Sequence, residues 1–324
     1  VRGASRLALS FGISPLVVGL TVVAFGTSAP EMTVSVSAVL GGQTGLAVGN
    51  VVGSNVFNLL GILGLSALIA PLVVHVQVIR QEVPIMIGTA LLVLMLGVDG
   101  HIGMLDGALL AALLVAYTVF LVVQSRAQPD AAPSGFDTEL PAAAARGWSR
   151  HPGVQMLFVL AGLALLVGGS EAMVRAAVEF ARALGVGEVV IGLTIFAVGT
   201  SLPEVAASLV AAFKGERDIA VGNVVGSCVF NLLGVLGLSG LAAGSAGLPI
   251  PDAVLRFDLW VMLAATVACL PIFVTGREVA RWEGAVFVAY YAAYTAYLIL
   301  RAQHHAALPT FSGLMMGFVG PLTL

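Results

Sequence analysis

Apolar runs of about twenty residues recur along the chain, separated by short clusters of charge, proline and glycine. Such a run is long enough to cross roughly 30 Å of hydrocarbon as a helix. The pattern predicts an all-α polytopic membrane protein. A membrane β-barrel would show short alternating segments instead. Val1–Phe11 reads as the tail of helix one. Helix two spans Pro15–Leu40, helix three Gly45–Ile69, helix four Val83–Val98 and helix five Met104–Gln124. Ser125–Pro152 is too polar to span and reads as a linker. Helix six covers Gly153–Leu184, helix seven Glu188–Phe213, helix eight Asp218–Ala243, helix nine Leu255–Thr275 and helix ten Glu283–Arg301. Gln303–Leu324 is a tail, polar and then apolar.

The chain also repeats itself. Displaced by 173 positions, Val1-Arg2 falls on Val174-Arg175, Glu31 on Glu204 and Asn58 on Asn231. The register holds without a gap to about Ala70, with roughly half the positions identical, which marks a duplication. Later helices echo one another: Arg80-Gln81-Glu82 resembles Arg256-Phe257-Asp258, and Asp106-Gly107 resembles Glu283-Gly284. The unit is thus five helices. An odd number forces the two copies into opposite orientations, so the pattern predicts two inverted five-helix repeats. The first repeat occupies residues 1–124, the linker 125–152, the second repeat 153–302 and the tail 303–324. The run Gly153–Met173 precedes the second copy without a counterpart before the first. The expectation is that most of helix one is missing from this sequence.

Composition agrees with membrane embedding and adds little else. The 324 residues are 59% hydrophobic and 10% charged, with a mean hydropathy of +1.05. No soluble domain needs that much apolar surface. The net charge of -3 selects no partner. Cys228 and Cys269 lie in apolar runs and read as small core residues. The distribution of charge is more informative. With the linker in the cytoplasm, that side holds Arg2, Arg6, Arg80, Arg126, Arg146, Arg150, Lys214, Arg217, Arg277 and Arg281. The other side holds Arg182, Arg256 and Arg301. The positive-inside rule favours this orientation.

Against this apolar background two polar stretches stand out. The first is Gly26-Thr27-Ser28-Ala29-Pro30-Glu31, followed by Gly49-Asn50-Val51-Val52-Gly53-Ser54-Asn55-Val56-Phe57-Asn58. The second is Gly199-Thr200-Ser201-Leu202-Pro203-Glu204, followed by Gly222-Asn223-Val224-Val225-Gly226-Ser227-Cys228-Val229-Phe230-Asn231. Polar groups at such depth are costly and mark function. Thr27, Ser28, Glu31 and Ser35 share a helix face by their spacing, as do Thr200, Ser201, Glu204 and Ser208. Pro30 and Pro203 loosen the carbonyls one turn back. Asn50, Ser54 and Asn58 form a stripe on helix three, and Asn223, Ser227 and Asn231 on helix eight. If the repeats cross at the centre, two carboxylates and several neutral oxygens converge. That set suits a hard cation such as Ca²⁺ or Na⁺. No Cys/His cluster favours zinc or copper.

The paired GTSxPE and GNxxGSxxFNxxG motifs resemble the α-repeats of the cation/calcium exchanger superfamily, in its prokaryotic sodium/calcium exchanger branch. The resemblance runs from Val1 to about Arg301. It implies ten helices in two inverted sets of five, and alternating access by sliding of helices one and six. It implies that Glu31 and Glu204 bind Ca²⁺ and Na⁺ in turn. Ligand roles are likewise implied for Thr27, Ser28, Thr200 and Ser201, and for Ser54, Asn58, Ser227 and Asn231. Some family members, including potassium-dependent ones, carry aspartate where Asn231 stands, which weighs against K⁺ co-transport. The expected function is a Ca²⁺:Na⁺ antiporter of a bacterial inner (plasma) membrane, exporting Ca²⁺. The ions and the lipid bilayer are its expected partners, with no nucleic acid, no protein partner and no permanent cofactor implied.

Other readings compete. A Ca²⁺/H⁺ antiporter would use the same two glutamates, and a passive cation channel would need a continuous pore. An intramembrane enzyme lacks a nucleophile–base pair or an HExxH motif here. No Lys or Arg lies in helices two, three or seven to pair with Glu31 or Glu204. Glu171 has Arg175 four residues on and reads as a helix-face ion pair. Asn50 and Asn223 are either ligands or cross-helix hydrogen bonders. Asp99, His101, Asp106, Glu82, Asp258 and Glu283 read as helix-end or loop groups.

Overall fold

The computed structural model describes residues 14–127, 152–183, 197–303, 305–315 and 317. Helix one, most of the linker and the first part of helix seven, as read from the sequence, lie outside the described residues. So do the side chains of Glu171 and Arg175.

Helix two is two pieces, α1 (Leu16–Thr27) and α2 (Ala29–Leu40), bent by 43°. Pro30 has no amide to bond the Gly26 carbonyl, and its ring crowds that carbonyl. Between the pieces, Ser28 leaves helical geometry at φ −82°, ψ 6°. Pro203 repeats the effect. There α7 (Ala197–Thr200) and α8 (Leu202–Phe213) meet at Ser201, at φ −89°, ψ 10°.

Two continuous helices form the buried axis. They are α3 (Thr44–Ile69) and, after α6 (Pro152–Ala183), α9 (Arg217–Ala246). Each widens into a π-helical stretch next to a motif asparagine, Phe57–Leu63 in α3 and Asn231–Val235 in α9. Such widening recurs at functional sites. Around the axis stand α4 (Val78–Leu96), α5 (Met104–Ala127), α10 (Val254–Val274) and α11 (Arg281–Ala302). The tail contributes a short helix, α12 (Leu308–Leu314). Among the described residues six helices are long and apolar enough to cross a membrane, or seven with the bent α1–α2 pair.

The sequence places the start of α4 five residues too late. The helix begins at Val78 and includes Arg80, Gln81 and Glu82. Hydropathy trims charged residues from a span, but here the charge is buried and partnered. Tyr117 Oη donates to Glu82 Oε2 at 2.6 Å. In the second repeat Tyr294 Oη donates to Asp258 Oδ1 at 2.8 Å. Glu82 and Asp258 are therefore buried groups within α4 and α10, not helix-end or loop residues. Asp106 and Glu283 do cap helix starts: they accept the amides of Gly103 at 2.8 Å and Ala280 at 2.7 Å.

Among the described residues, four two-residue strands fix how the repeats face each other. β1 (Leu72–Val73) follows α3, and β2 (His101–Ile102) follows α4. β3 (Leu248–Pro249) follows α9, and β4 (Glu278–Val279) follows α10. β1 pairs antiparallel with β4, and β2 with β3. β1 and β2 flank α4, which is roughly 28 Å long at 1.5 Å per residue. The two small sheets therefore lie at opposite ends of the bundle. β1 and β3 are equivalent, yet they belong to different sheets. The repeats are inverted, as the odd helix number requires.

Small residues let the repeats interlock. A Cβ on Gly64 of α3 would sit 2.9 Å from the Gly284 carbonyl of α11. A Cβ on Gly237 of α9 would sit 3.1 Å from the Gly107 carbonyl of α5. The two contacts are mirror images, and neither crossing has room for a side chain.

Candidate cation site

The two helix breaks face each other across the repeat boundary. Thr27, Ser28 and Glu31 come from α1 and α2, and Thr200, Ser201 and Glu204 from α7 and α8. All six are buried. Each break serine reaches into the other repeat. Ser28 Oγ donates to Glu204 Oε1 at 2.8 Å, and Ser201 Oγ donates to Glu31 Oε1 at 2.7 Å. Each carboxylate thus commits one oxygen. The other, Oε2, is buried with no hydrogen-bond partner among the described residues for both Glu31 and Glu204.

The axis helices add a second group of oxygens. Ser54 and Asn58 come from α3, and Ser227 and Asn231 from α9; all four are fully buried. Their hydroxyls and side-chain amides make no hydrogen bond among the described residues. None of the four is bonded to either glutamate. Leaving a buried polar atom without a partner costs about 1–3 kcal/mol, more when it is charged. Folded proteins keep few such atoms. Free carboxylate, hydroxyl and amide oxygens are the donor types a hard cation takes. Among the described residues no group of three or more His, Cys, Asp or Glu side chains could hold a metal ion.

Asn50 and Asn223 are different. Asn50 Nδ2 donates to Ser35 Oγ at 3.1 Å, and its Oδ1 accepts from Thr200 Oγ1 at 3.3 Å. Asn223 Nδ2 donates to Ser208 Oγ at 2.8 Å, and its Oδ1 accepts from Thr27 Oγ1 at 3.2 Å. Of the two sequence readings for these residues, the structure has the cross-helix hydrogen bonders. The sequence stripes place Ser35 and Ser208 on the right face but do not reveal what they bond. The acid–tyrosine pairs escape sequence reading altogether, although a signal exists. Tyr117 and Tyr294 are separated by 177 positions, the same offset that relates Asp106 to Glu283.

Inverted repeats, broken helices and a buried polar centre between them define a secondary membrane transporter. The family model for the sodium/calcium exchanger protein matches residues 1–123 and 154–300, and the chain belongs to that family. The sodium/calcium exchanger MaX1 of Methanosarcina acetivorans is 32% identical over 331 residues, covering 91% of each chain. The inner membrane protein YrbG of Escherichia coli (strain K12) is 40% identical over 250 residues, 74% of each chain. A solved structure of the sodium-calcium exchanger NCX_Mj matches with a TM-score of 0.75 at 30% identity. The match covers 91% of this chain and 90% of that one. The chain is thus an integral membrane transporter of the cation/calcium exchanger class, not an enzyme.

Proposed function

We propose that this transporter is a Ca²⁺:Na⁺ antiporter that exports Ca²⁺ across a bacterial inner membrane. Glu31 and Glu204 hold the ions. Thr27, Ser28, Thr200, Ser201, Ser54, Ser227, Asn58 and Asn231 supply neutral oxygens. The observation that carries this reading is the pair of buried carboxylate oxygens, Glu31 Oε2 and Glu204 Oε2, without hydrogen-bond partners among the described residues. Two carboxylates balance one Ca²⁺. Sodium uses the same hard oxygens, so loading with one ion requires release of the other. The exchanger names borne by MaX1 and NCX_Mj support sodium as the counter-ion.

The two breaks support access from one side at a time. Ser28 and Ser201 are the points where α1–α2 and α7–α8 bend, and each holds the opposite carboxylate. A shift of either broken helix moves a ligand of the other repeat. The Arg and Lys distribution supports a cytoplasmic linker between the repeats.

Uptake of ⁴⁵Ca²⁺ into proteoliposomes preloaded with Na⁺ tests the reading. The expected result is uptake that requires the outward Na⁺ gradient and collapses with it. Uptake driven by a pH gradient alone reassigns the counter-ion to H⁺. Uptake without any counter-ion gradient makes the protein a channel.

A further inference from the structure

Asn50 and Asn223 touch no free carboxylate oxygen, yet the geometry ties both to the centre. A hydroxyl binds a cation through an oxygen lone pair, so its proton must point elsewhere. Thr27 Oγ1 has one proton and two acceptors in reach, Asn223 Oδ1 at 3.2 Å and, within its own helix, the Ala24 carbonyl at 3.3 Å; of the two, Asn223 is the shorter contact and the one from another element. Thr200 Oγ1 directs its proton to Asn50 Oδ1 at 3.3 Å. In each case the amide comes from the opposite repeat. An asparagine accepts with Oδ1 only if its amide is held the right way round, and a serine holds it. Ser35 Oγ accepts Asn50 Nδ2 at 3.1 Å, and Ser208 Oγ accepts Asn223 Nδ2 at 2.8 Å. Asn223 Nδ2 also reaches the backbone carbonyl of Glu204 at 3.4 Å. Asn58 and Asn231, eight residues further along the same helices, keep their amides free of such bonds among the described residues.

We infer that Asn50 and Asn223 are positioning residues for ion binding, each fixing the hydroxyl proton of the opposite repeat's threonine so that its lone pairs face the centre. The chain of contacts is Ser35–Asn50–Thr200 in one direction and Ser208–Asn223–Thr27 in the other. Both run from α2 or α8 through an axis helix into the other repeat. The same chain of contacts stands in both copies of the repeat. The inference deepens the antiporter reading and rests on it.

A double-mutant cycle on Asn50 and Thr200 tests it, read as apparent KM and maximal rate of Na⁺-driven ⁴⁵Ca²⁺ uptake. Asn50→Leu keeps the volume and removes both polar ends. It is expected to raise KM for Ca²⁺ about fivefold to tenfold, the cost of one hydrogen bond. Thr200→Val is expected to raise KM similarly, while Thr200→Ser, which keeps the hydroxyl, stays within about twofold of wild type. In the Thr200→Val background, Asn50→Leu is expected to add nothing further. Additive KM effects make Asn50 an independent ligand and overturn the inference. So does an unchanged KM in Asn50→Leu or a lowered maximal rate alone. If Asn50→Leu does not fold, Ser35→Ala tests the same chain by freeing the amide. It is expected to raise KM about threefold, again only where Thr200 is present. An additive or absent effect overturns the inference here too. Failure of the antiporter reading is separate: wild-type protein would show no Na⁺-driven uptake.

Discussion

Ser201 holds Glu31 by a 2.7 Å hydrogen bond across the repeat boundary, and Ser28 holds Glu204 in the mirror position at 2.8 Å. Each carboxylate is therefore aimed by the other half of the molecule. The bond leaves one carboxylate oxygen free and fixes where it points. A hydrogen bond to a charged group is worth about 1.5–3 kcal/mol. Ser28→Ala and Ser201→Ala are each expected to cut Ca²⁺ affinity by at least about tenfold. Ser→Thr at either position, retaining the hydroxyl, is expected to preserve most of it. Wild-type affinity in both alanine variants would separate the serines from the centre.

The glutamates themselves admit a cleaner substitution. Glu31→Gln and Glu204→Gln keep shape and the acceptor oxygen facing serine while removing one charge. One remaining carboxylate cannot balance Ca²⁺ in a buried centre, and an unbalanced buried charge is costly. Each variant is expected to lose Na⁺-driven Ca²⁺ uptake while eluting from a sizing column as wild type does. Wild-type uptake by either variant would remove that glutamate from the site.

The duplicated motif carries most of this centre in plain view. Glu31 and Glu204 stand out because nothing apolar explains them, and the fixed displacement that relates Glu31 to Glu204 pairs every other motif residue as well. Pro30 and Pro203 foretell the helix breaks. Two things were hidden. Which hydroxyl meets which carboxylate depends on how the repeats cross, and no spacing encodes that. Glu82 and Asp258 look like span ends because a hydropathy window has no way to register a tyrosine partner on another helix. The second half of the repeat is harder to see because its displacement grows, with Tyr117 matching Tyr294 only after extra residues have entered the loops.

Those tyrosines support a prediction about stability rather than transport. Tyr117 ties α5 to α4 through Glu82, and Tyr294 ties α11 to α10 through Asp258. Gln77 and Gln81 also donate to Glu82, at 3.1 and 2.8 Å, so its loss of Tyr117 is partly covered. Asp258 has no such amide donors among its described hydrogen bonds. Tyr294→Phe is therefore expected to lower the melting temperature in detergent more than Tyr117→Phe, the larger loss corresponding to about 1–3 kcal/mol. Neither variant is expected to change KM for Ca²⁺. Equal melting temperatures for the two would mean that the flanking glutamines contribute nothing.

The strand pairs turn the membrane orientation into a labelling experiment. Val73 of β1 stands opposite Glu278 of β4, and His101 of β2 stands opposite Pro249 of β3. The two sheets cap opposite ends of α4, so they face opposite compartments. The first is bordered by Arg80, Arg277 and Arg281, and the second by Arg256. In the orientation proposed above, with positive charge inside, β1 and β4 are expected on the cytoplasmic side. Val73 and His101 are both exposed, which makes each suitable for a reporter cysteine. Cys228 and Cys269 are buried and are expected to stay silent toward a polar reagent. In intact cells a membrane-impermeant maleimide is expected to modify His101→Cys and to spare Val73→Cys until the membrane is opened. Labelling of both from one side would break the inverted arrangement. Labelling in the reverse sense would keep the inversion and turn the whole protein over, so that the site would load Ca²⁺ from the opposite compartment in each half-cycle.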